Sequence, residues 1–434
     1  MDVTANTAGR SQAVSADATT TAIDIAAVQR RTLRLLFATQ IISGVGVAIG
    51  SSVGALLAAQ LAGVTISGLA LSAAIVGAAL LAVPATHLVR RSGRRLSLAA
   101  TYFVAAIGAI VVVIAAVQSS IVLLFAGFFL FGGGTAAGMQ ARYAAVDLAP
   151  PALRGRHLSL IVWATTLGAV AGPNLAAVAG ATLDGYGVPT LAGPFAFSAA
   201  LFVLAALALG LFLRPDPAVL AHRAIAQSTE DRGNRAYGGL KEALGAVLAS
   251  STARLGVTAV AVGHVVMVAV MAMTPVHIRN AGHDAAHTLT IVGVILSVHV
   301  AGMYAFAPVI GWFTDRFGRR PIIVAGIVFL LAACALAGTA EHNEARLAAG
   351  LMVLGIGWSS TMVAGSTLLS ESISADLRPS AQGLSDVTMG LAGAVAGALS
   401  GVVMEAWGFP MLALIAAITA ILFLATSARR LTSR

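Results

Sequence analysis

The segment Gly311-Trp-Phe-Thr-Asp315-Arg316-Phe-Gly318-Arg319-Arg320 lies between two long apolar runs. A diverged copy, Thr86-His-Leu-Val-Arg90-Arg91-Ser-Gly93-Arg94-Arg95, lies 225 positions earlier, again between apolar runs. Because arginine is costly in hydrocarbon, each copy must be a short loop at a membrane surface, where a glycine permits a sharp turn. Two copies at this offset indicate a membrane protein with a duplicated half.

The composition supports a membrane location independently, since 58% of the residues are hydrophobic, 10% are charged and the mean hydropathy is +0.92. A helix needs about 20 apolar residues to cross the hydrocarbon. We therefore predict an all-α membrane protein with twelve transmembrane helices. The twelve apolar runs are 34–60, 65–89, 96–117, 119–144, 157–182, 194–213, 254–278, 288–312, 320–340, 345–370, 380–404 and 409–428.

The net charge of +9 and the pI near 10.9 are explained by topology. If both termini are cytoplasmic, 24 of the 26 Lys and Arg fall on the cytoplasmic side, and only Arg279 and Arg346 fall outside. This asymmetry is what the positive-inside rule predicts. The lipid bilayer, and not nucleic acid, is the expected partner of the basic surface, and we expect a multi-pass protein of the bacterial inner (plasma) membrane.

Four regions follow from the composition. Residues 1–30 are predicted to be a disordered cytoplasmic tail, and residues 215–250 a cytoplasmic linker. Residues 31–214 and 251–434 are the two predicted six-helix halves. The lone Cys334 lies inside the ninth run, which favours a packing role, and we expect the chain to function as a monomer.

The second arginine loop closely resembles the signature of the major facilitator superfamily of secondary transporters. The resemblance implies two pseudo-symmetric six-helix halves related by an axis along the membrane normal and working by alternating access. A second pair of similar segments, Asp147-Leu-Ala-Pro and Asp376-Leu-Arg-Pro, lies 229 positions apart and supports the repeat. The gating residues that the resemblance implies are Asp315, Arg316, Gly318, Arg319, Arg320, Arg90, Arg91, Gly93 and Arg94.

One departure from the family signature concerns charge. The acidic residue of the loop holds one gate conformation in the family, and Asp315 can do so in the second half, but the matching position in the first half is Arg90. The first half therefore cannot use the usual latch. We expect Asp386 to accept Arg90 or Arg91 instead.

The fifth run contains Gly168-Ala-Val-Ala-Gly172-Pro173-Asn174-Leu-Ala176-Ala177, which is similar to the glycine-proline motif of antiporters in the family. Glycines four apart allow close helix packing, and Pro173 removes one helical hydrogen bond. Ala176 and Ala177 stand where that motif usually has glycines. Gly168, Gly172 and Pro173 are thus predicted to form a kinked helix contact, either as an antiporter motif or simply as tight packing.

Acidic side chains are nearly absent from the predicted spans, and the first span offers only Gln40 and small residues. Proton-driven drug exporters of the superfamily typically carry a carboxylate there, so this absence weakens the drug-antiport interpretation. Uniport, proton coupling through histidine and carboxylate-based antiport all remain open.

The seventh and eighth runs carry soft donors at mid-bilayer depth. His264, Met267 and Met271 share one helical face, and His299 and Met303 lie one turn apart on the next helix. Thioethers and imidazoles without a nearby carboxylate suit Cu(I) and suit Mg²⁺ or Ca²⁺ poorly. The alternatives are methionine as a core filler and histidine as a hydrogen-bonded structural group.

This pattern looks like that of the CcoA-type copper importers, in which such methionine and histidine-methionine pairs bind the metal. The resemblance implies that Met267, Met271, His299 and Met303 are metal ligands and that copper is the imported cargo. His264, on the same face as Met267 and Met271, is a further candidate for substrate binding. The alternatives are a proton-coupled exporter of small amphipathic organic compounds and a non-transporting membrane sensor. No cluster of catalytic groups and no phosphate-binding loop is evident, so we expect neither an enzyme nor a cofactor.

Overall fold

The computed structural model describes residues 24–150, 153–185, 187–221, 240–374 and 377–432. The described part is almost entirely helical, because hydrocarbon offers no water to backbone N–H and C=O groups and a helix pairs them within one segment. Its thirteen helices of ten or more residues are α1 (Ile25–Ala62), α2 (Val64–Gln118), α3 (Ile121–Phe131), α4 (Gly133–Ala144), α5 (Arg154–Asp184), α6 (Gly193–Phe212), α7 (Leu240–Ala249), α8 (Ser251–Arg279), α9 (Ala285–Tyr304), α10 (Ala307–Phe317), α11 (Arg319–Gly338), α12 (Glu344–Ser372) and α13 (Arg378–Thr432).

Twelve membrane crossings are present in the described chain, as the sequence predicts. Ten continuous helical segments are long and apolar enough to span a bilayer. Two of them, α2 and α13, cross twice, because each has 55 residues and bends at a glycine with non-helical dihedral angles, Gly93 and Gly408. A helix of that length spans about 80 Å, well over twice the hydrocarbon thickness. The pairs α3–α4 and α9–α10 each form one interrupted crossing.

The ends of the predicted regions differ from the structure in two places. Residues 1–23 of the predicted tail lie outside the described residues, but Ile25–Arg30 are helical and not disordered, since the Asp24 carboxylate accepts a hydrogen bond from the Ala27 amide and caps α1. In the predicted linker, residues 222–239 lie outside the described part. Within the linker, Leu240–Ala249 form α7.

The helices divide into two groups, α1–α6 and α8–α13, which we call the first and second halves. We call the side that carries Gly93 and Gly318 the arginine-loop face, and the other side the opposite face. Hydrogen bonds within the described residues join the halves only at mid-depth and towards the opposite face: Ser72 Oγ to Ala394 O (2.6 Å), Asn174 Nδ2 to Ser297 Oγ (2.6 Å), Ser297 Oγ to Val170 O (2.7 Å) and Ser67 Oγ to Met273 Sδ (3.6 Å).

Small residues bring the backbones together at this closed end. Gly68 of α2 abuts the carbonyl of Gly397 in α13, and Gly293 of α9 abuts the Pro173 carbonyl of α5. Between described residues, no hydrogen bond or ion pair joins the halves towards the arginine-loop face. Within the described part of the chain, hydrogen bonds therefore join the halves from mid-depth to the opposite face and not at the arginine-loop face.

Candidate functional site

The first arginine loop is fixed by Arg94. Its guanidinium donates to both carboxylate oxygens of Asp147, from Nε at 2.8 Å and from Nη2 at 3.2 Å, and Nη1 donates to Gln140 Oε1 at 2.9 Å. The Arg94 and Asp147 side chains are only 13% and 17% exposed. A bidentate, partly desolvated pair of this kind is strong and directional. It joins the bend of α2 to the end of α4.

The second arginine loop carries the equivalent pair. Arg319 lies 225 positions after Arg94, and its Nη2 donates to Glu371 Oε1 at 2.6 Å, while Asp315 Oδ1 lies at 3.5 Å. Glu371 follows Asp147 by 224 positions, so the same loop-to-helix contact recurs in both halves. Glu371 and Asp315 are 51% and 77% exposed, which makes this copy more solvated than the first.

Both loops bend at glycines whose φ angles only glycine adopts easily, 84° at Gly93 and 92° at Gly318. In the first loop, Asp216 adds a contact that sequence reasoning missed. One carboxylate oxygen accepts from the Arg95 amide (2.7 Å) and the other accepts from the Ala218 amide (2.9 Å). Asp216 thus caps the helix that follows Gly93, and the signal for it was an acidic residue directly after α6.

The expected pairing of Asp386 with Arg90 or Arg91 is not formed in this structure and requires a correction. Arg90 and Arg91 are exposed at the loop, as is Arg316, while Arg320 is half-buried. The cation that interacts electrostatically with Asp386 is Arg142 of α4. The expectation that the first half cannot use the usual latch stays a prediction; the loop contact in this half joins Arg94 to Asp147 and does not involve an acid at position 90.

The glycine-proline segment of α5 is a close helix contact, as predicted. Gly168 packs on the α1 backbone beside Gly44, and Gly172 packs on Ala48. Pro173 lies inside α5, and its carbonyl meets Gly293 across the interface. The neighbouring Asn174 donates to Ser297 of the other half, a contact that the motif did not reveal.

The methionine and histidine side chains that were predicted to bind metal differ in burial and in their neighbours. Met267, His299 and Met303 are buried, and Met271 is half-buried beside a small apolar cavity that Phe131 and Leu296 also line. The His299 ring is directed at α12, where Nδ1 donates to the Leu351 carbonyl at 2.8 Å. Its buried Nε2 has no hydrogen-bond partner.

His264 belongs to a different group of side chains. Its Nδ1 accepts a hydrogen bond from the Trp358 indole N–H at 3.0 Å, so the proton of the neutral ring lies on Nε2. Trp358 also packs edge-on against Tyr304, with ring centroids 5.9 Å apart. We call His264, Trp358, Tyr304, Arg142 and Asp386 the central polar cluster.

The central polar cluster lies between the halves. Arg142 belongs to the first half and interacts electrostatically with Tyr304 and Asp386 of the second. Its Nε is buried and has no hydrogen-bond partner. Asp386 lies eight residues before Ala394 on α13, roughly 12 Å nearer the arginine-loop face than the Ser72 contact. Except for buried Trp358, all members are partly exposed.

Gln40 extends the polar surface into α1. It is 2% exposed, and its Nε2 donates to Thr165 Oγ1 at 2.9 Å, whereas the buried Oε1 has no hydrogen-bond partner. The arrangement as a whole therefore offers hydrogen-bonding groups from both halves and two aromatic rings from the second half.

Residues 35–291 and 281–433 match the family model described as Major Facilitator Superfamily. An uncharacterized MFS-type transporter of Bacillus subtilis (strain 168), YdeG, is 37% identical over 400 residues, which cover 91% of this chain and 90% of the relative. The chain belongs to the major facilitator superfamily and is a multi-pass membrane transporter.

Two further comparisons are more distant. The riboflavin transporter RfnT of Brucella anthropi is 27% identical over 343 residues, which cover 79% of this chain and 80% of that protein. The crystal structure of the nucleoside transporter NupG is 17% identical, with a TM-score of 0.71 over 94% of this chain and 100% of that one. The latter likeness shows the shared fold.

Proposed function

We propose that this chain is an alternating-access carrier of the bacterial inner membrane that binds a small, planar organic solute at the central polar cluster. The observation that carries the proposal is Arg142, a first-half cation that interacts electrostatically with Tyr304 and Asp386 of the second half and whose buried Nε has no hydrogen-bond partner among the described residues. Ionisable groups at membrane depth are expensive and mark substrate pathways.

The orientation of the carrier rests on charge. Both arginine loops lie on one face, and the positive-inside rule assigns that face to the cytoplasm. Both termini are then cytoplasmic. Because hydrogen bonds between described residues join the halves at the opposite face and not at the arginine-loop face, we assign this conformation to an inward-open carrier.

The cluster suits a ring that bears oxygen atoms. The Arg142 guanidinium supplies donors for a carbonyl or an anionic oxygen, and Trp358 and Tyr304 supply aromatic surface. His264 Nε2–H and the Asp386 carboxylate add one donor and one acceptor. A solute that contacts groups of both halves changes the relative stability of the open and closed states, which is what alternating access requires. The similarity to the riboflavin transporter RfnT supports a planar organic cargo.

Copper import is a second candidate, favoured by one observation. The unpartnered, fully buried Nε2 of His299 retains its lone pair while Nδ1 donates to Leu351, and the buried Met303 follows one helical turn later. An imidazole held in this tautomer by a backbone carbonyl is typical of metal-ligating histidines. The metal would be cargo and not a resident cofactor.

One experiment separates the two cargoes. Purified full-length protein is reconstituted in vesicles, and uptake of riboflavin and of Cu(I) is measured side by side. We expect saturable riboflavin uptake that falls at least tenfold in Arg142→Gln and Trp358→Leu and is unchanged in His87→Ala, an exposed loop histidine. The organic cargo is contradicted if riboflavin uptake is unchanged in both Arg142→Gln and Trp358→Leu. It is also contradicted if the unmodified protein shows no saturable riboflavin uptake. Cu(I) uptake abolished by His299→Ala and Met271→Ala would establish the second candidate instead.

A further inference from the structure

A cluster of metal-ligating side chains lies at the opposite face, far from the central polar cluster. His283 lies in the turn between α8 and α9, His287 lies in the first turn of α9, and Glu344 begins α12. One ligand atom from each lies within 4.8 Å of the other two. Three such groups from the beginnings of two separate helices converge at one point.

Local structure holds the two histidines together. Gly282, with a φ of 90°, turns the chain, and the Asp284 carboxylate caps α9 by accepting from the His287 amide at 2.8 Å. The four-residue spacing places the rings of His283 and His287 on one side, with centroids 4.8 Å apart and planes at 64°. This arrangement is set by the backbone and needs no cation to form.

Glu344 completes the set from 60 residues away. Its Oε1 lies 3.5 Å from His283 Nε2, and the Asn343 side chain caps α12 by accepting from the Arg346 amide, which fixes the first turn that carries Glu344. The His283 and Glu344 side chains are 30% and 48% exposed, so a hydrated cation can reach them. Donors bound to one ion at about 2.0–2.2 Å in tetrahedral geometry lie roughly 3.3 Å apart, which small side-chain rotations achieve here.

The donor chemistry selects the ion. We propose that His283, His287 and Glu344 form a binding site for a late first-row divalent cation of the Zn²⁺ class. Two imidazoles and one carboxylate are a recurrent Zn²⁺ set with a fourth position open to water, whereas Mg²⁺ and Ca²⁺ prefer oxygen ligands only. The bound cation ties the beginning of α9, the helix that closes the interface against α5, to the beginning of α12.

The nearby His277 does not belong to this site. Its Nε2 is hydrogen-bonded to the Glu341 carbonyl at 2.9 Å, and its ring stacks on Phe409 with centroids 4.3 Å apart. It therefore serves as a local control of similar chemistry, and His87, exposed on the other face, serves as a remote one.

The test is ZnCl₂ binding to the full-length protein in detergent, with the purification tag removed and a chelating dye as competitor. We expect one site per chain that Mg²⁺ does not displace. His283→Ala and His287→Ala each weaken it at least tenfold, and Glu344→Gln weakens it by a smaller factor. Binding in His277→Ala and His87→Ala matches the unmodified protein.

Three results would overturn the proposal. The first is no stoichiometric Zn²⁺ binding to the unmodified protein. The second is Zn²⁺ binding in His283→Ala and in His287→Ala that equals binding to the unmodified protein. The third is loss of Zn²⁺ binding in His277→Ala while His283→Ala and His287→Ala still bind. Each variant is first checked for a single symmetric peak in size-exclusion chromatography, and Glu344→Gln, which leaves both rings in place, keeps the test decisive if a histidine variant misfolds. The readout is equilibrium binding, so it is independent of which cargo the carrier moves.

Discussion

The two arginine loops make the same contact with different strengths. The first loop has the more diverged sequence, yet Arg94 pairs with Asp147 in a bidentate, mostly buried geometry that Gln140 supports. The second loop matches the family signature closely, yet Arg319 pairs with exposed Glu371 and Asp315. Sequence agreement with a motif and physical strength of its contacts are therefore separate quantities.

The largest expected difference between the loops concerns their glycines. Gly93→Ala and Gly318→Ala both force a side chain into a backbone region that is nearly exclusive to glycine, which costs about 1–3 kcal/mol. An added methyl group at Gly93 would also collide with the Asp216 carboxylate, whereas the nearest atom at Gly318 is 3.9 Å away. We expect thermal unfolding in detergent to show a clearly larger loss for Gly93→Ala. Equal losses would mean that Asp216 moves aside freely.

The arginines themselves come next. Arg94→Ala leaves Asp147 and Gln140 partly buried without their partner, and we expect a loss of about 2 kcal/mol; Arg319→Ala exposes its partners to water and should cost about 1 kcal/mol or less. Double-mutant cycles of Arg94 with Asp147 and of Arg319 with Glu371, followed by thermal stability, measure the two coupling energies. A larger coupling in the second loop would reverse the comparison.

The smallest effect is expected within the second loop. Asp315 is 77% exposed and lies 3.5 Å from Arg319, so Asp315→Asn should change stability by less than about 0.5 kcal/mol. Glu371→Gln removes the 2.6 Å contact and should have the larger effect of the two. The same stability assay compares them, and a larger loss in Asp315→Asn would restore the signature residue as the main partner of Arg319.

The membrane crossings and the repeat could be predicted from the sequence because apolar run length and the 225-residue offset can be read without knowing any tertiary contact. The bends at Gly93 and Gly408 were foreseen as breaks between apolar runs. The contact between Arg94 and Asp147 was missed, because the motif aligns Arg90 with Asp315 and contains no information on which carboxylate Arg94 meets. Asp147, 53 positions away, is brought there only by the packing of α4 on α2.

The candidate site was harder to predict for a similar reason. The sequence predicted that His264, Met267 and Met271 lie on one helix, which is α8. Spacing within one helix does not predict which residue of a neighbouring helix each side chain contacts. His264 reaches Trp358, and His299 reaches the Leu351 backbone, both on α12. Arg142 was counted with the loop cations, although it interacts electrostatically with Tyr304 and Asp386 of the other half. Whether the soft donors bind copper stays a prediction.

The closed seam at the opposite face is held by three hydrogen bonds to oxygen, from Ser72, Asn174 and Ser297. Side-chain hydrogen bonds inside a bilayer contribute about 0.6 kcal/mol each, so together they favour this state by about 2 kcal/mol, roughly 30-fold. A single well-matched ligand has enough differential affinity to reverse a preference of that size. In the proposed transport cycle, these hydrogen bonds are therefore strong enough to keep the opposite face closed without a bound solute. They are also weak enough for the binding of a solute to open that face.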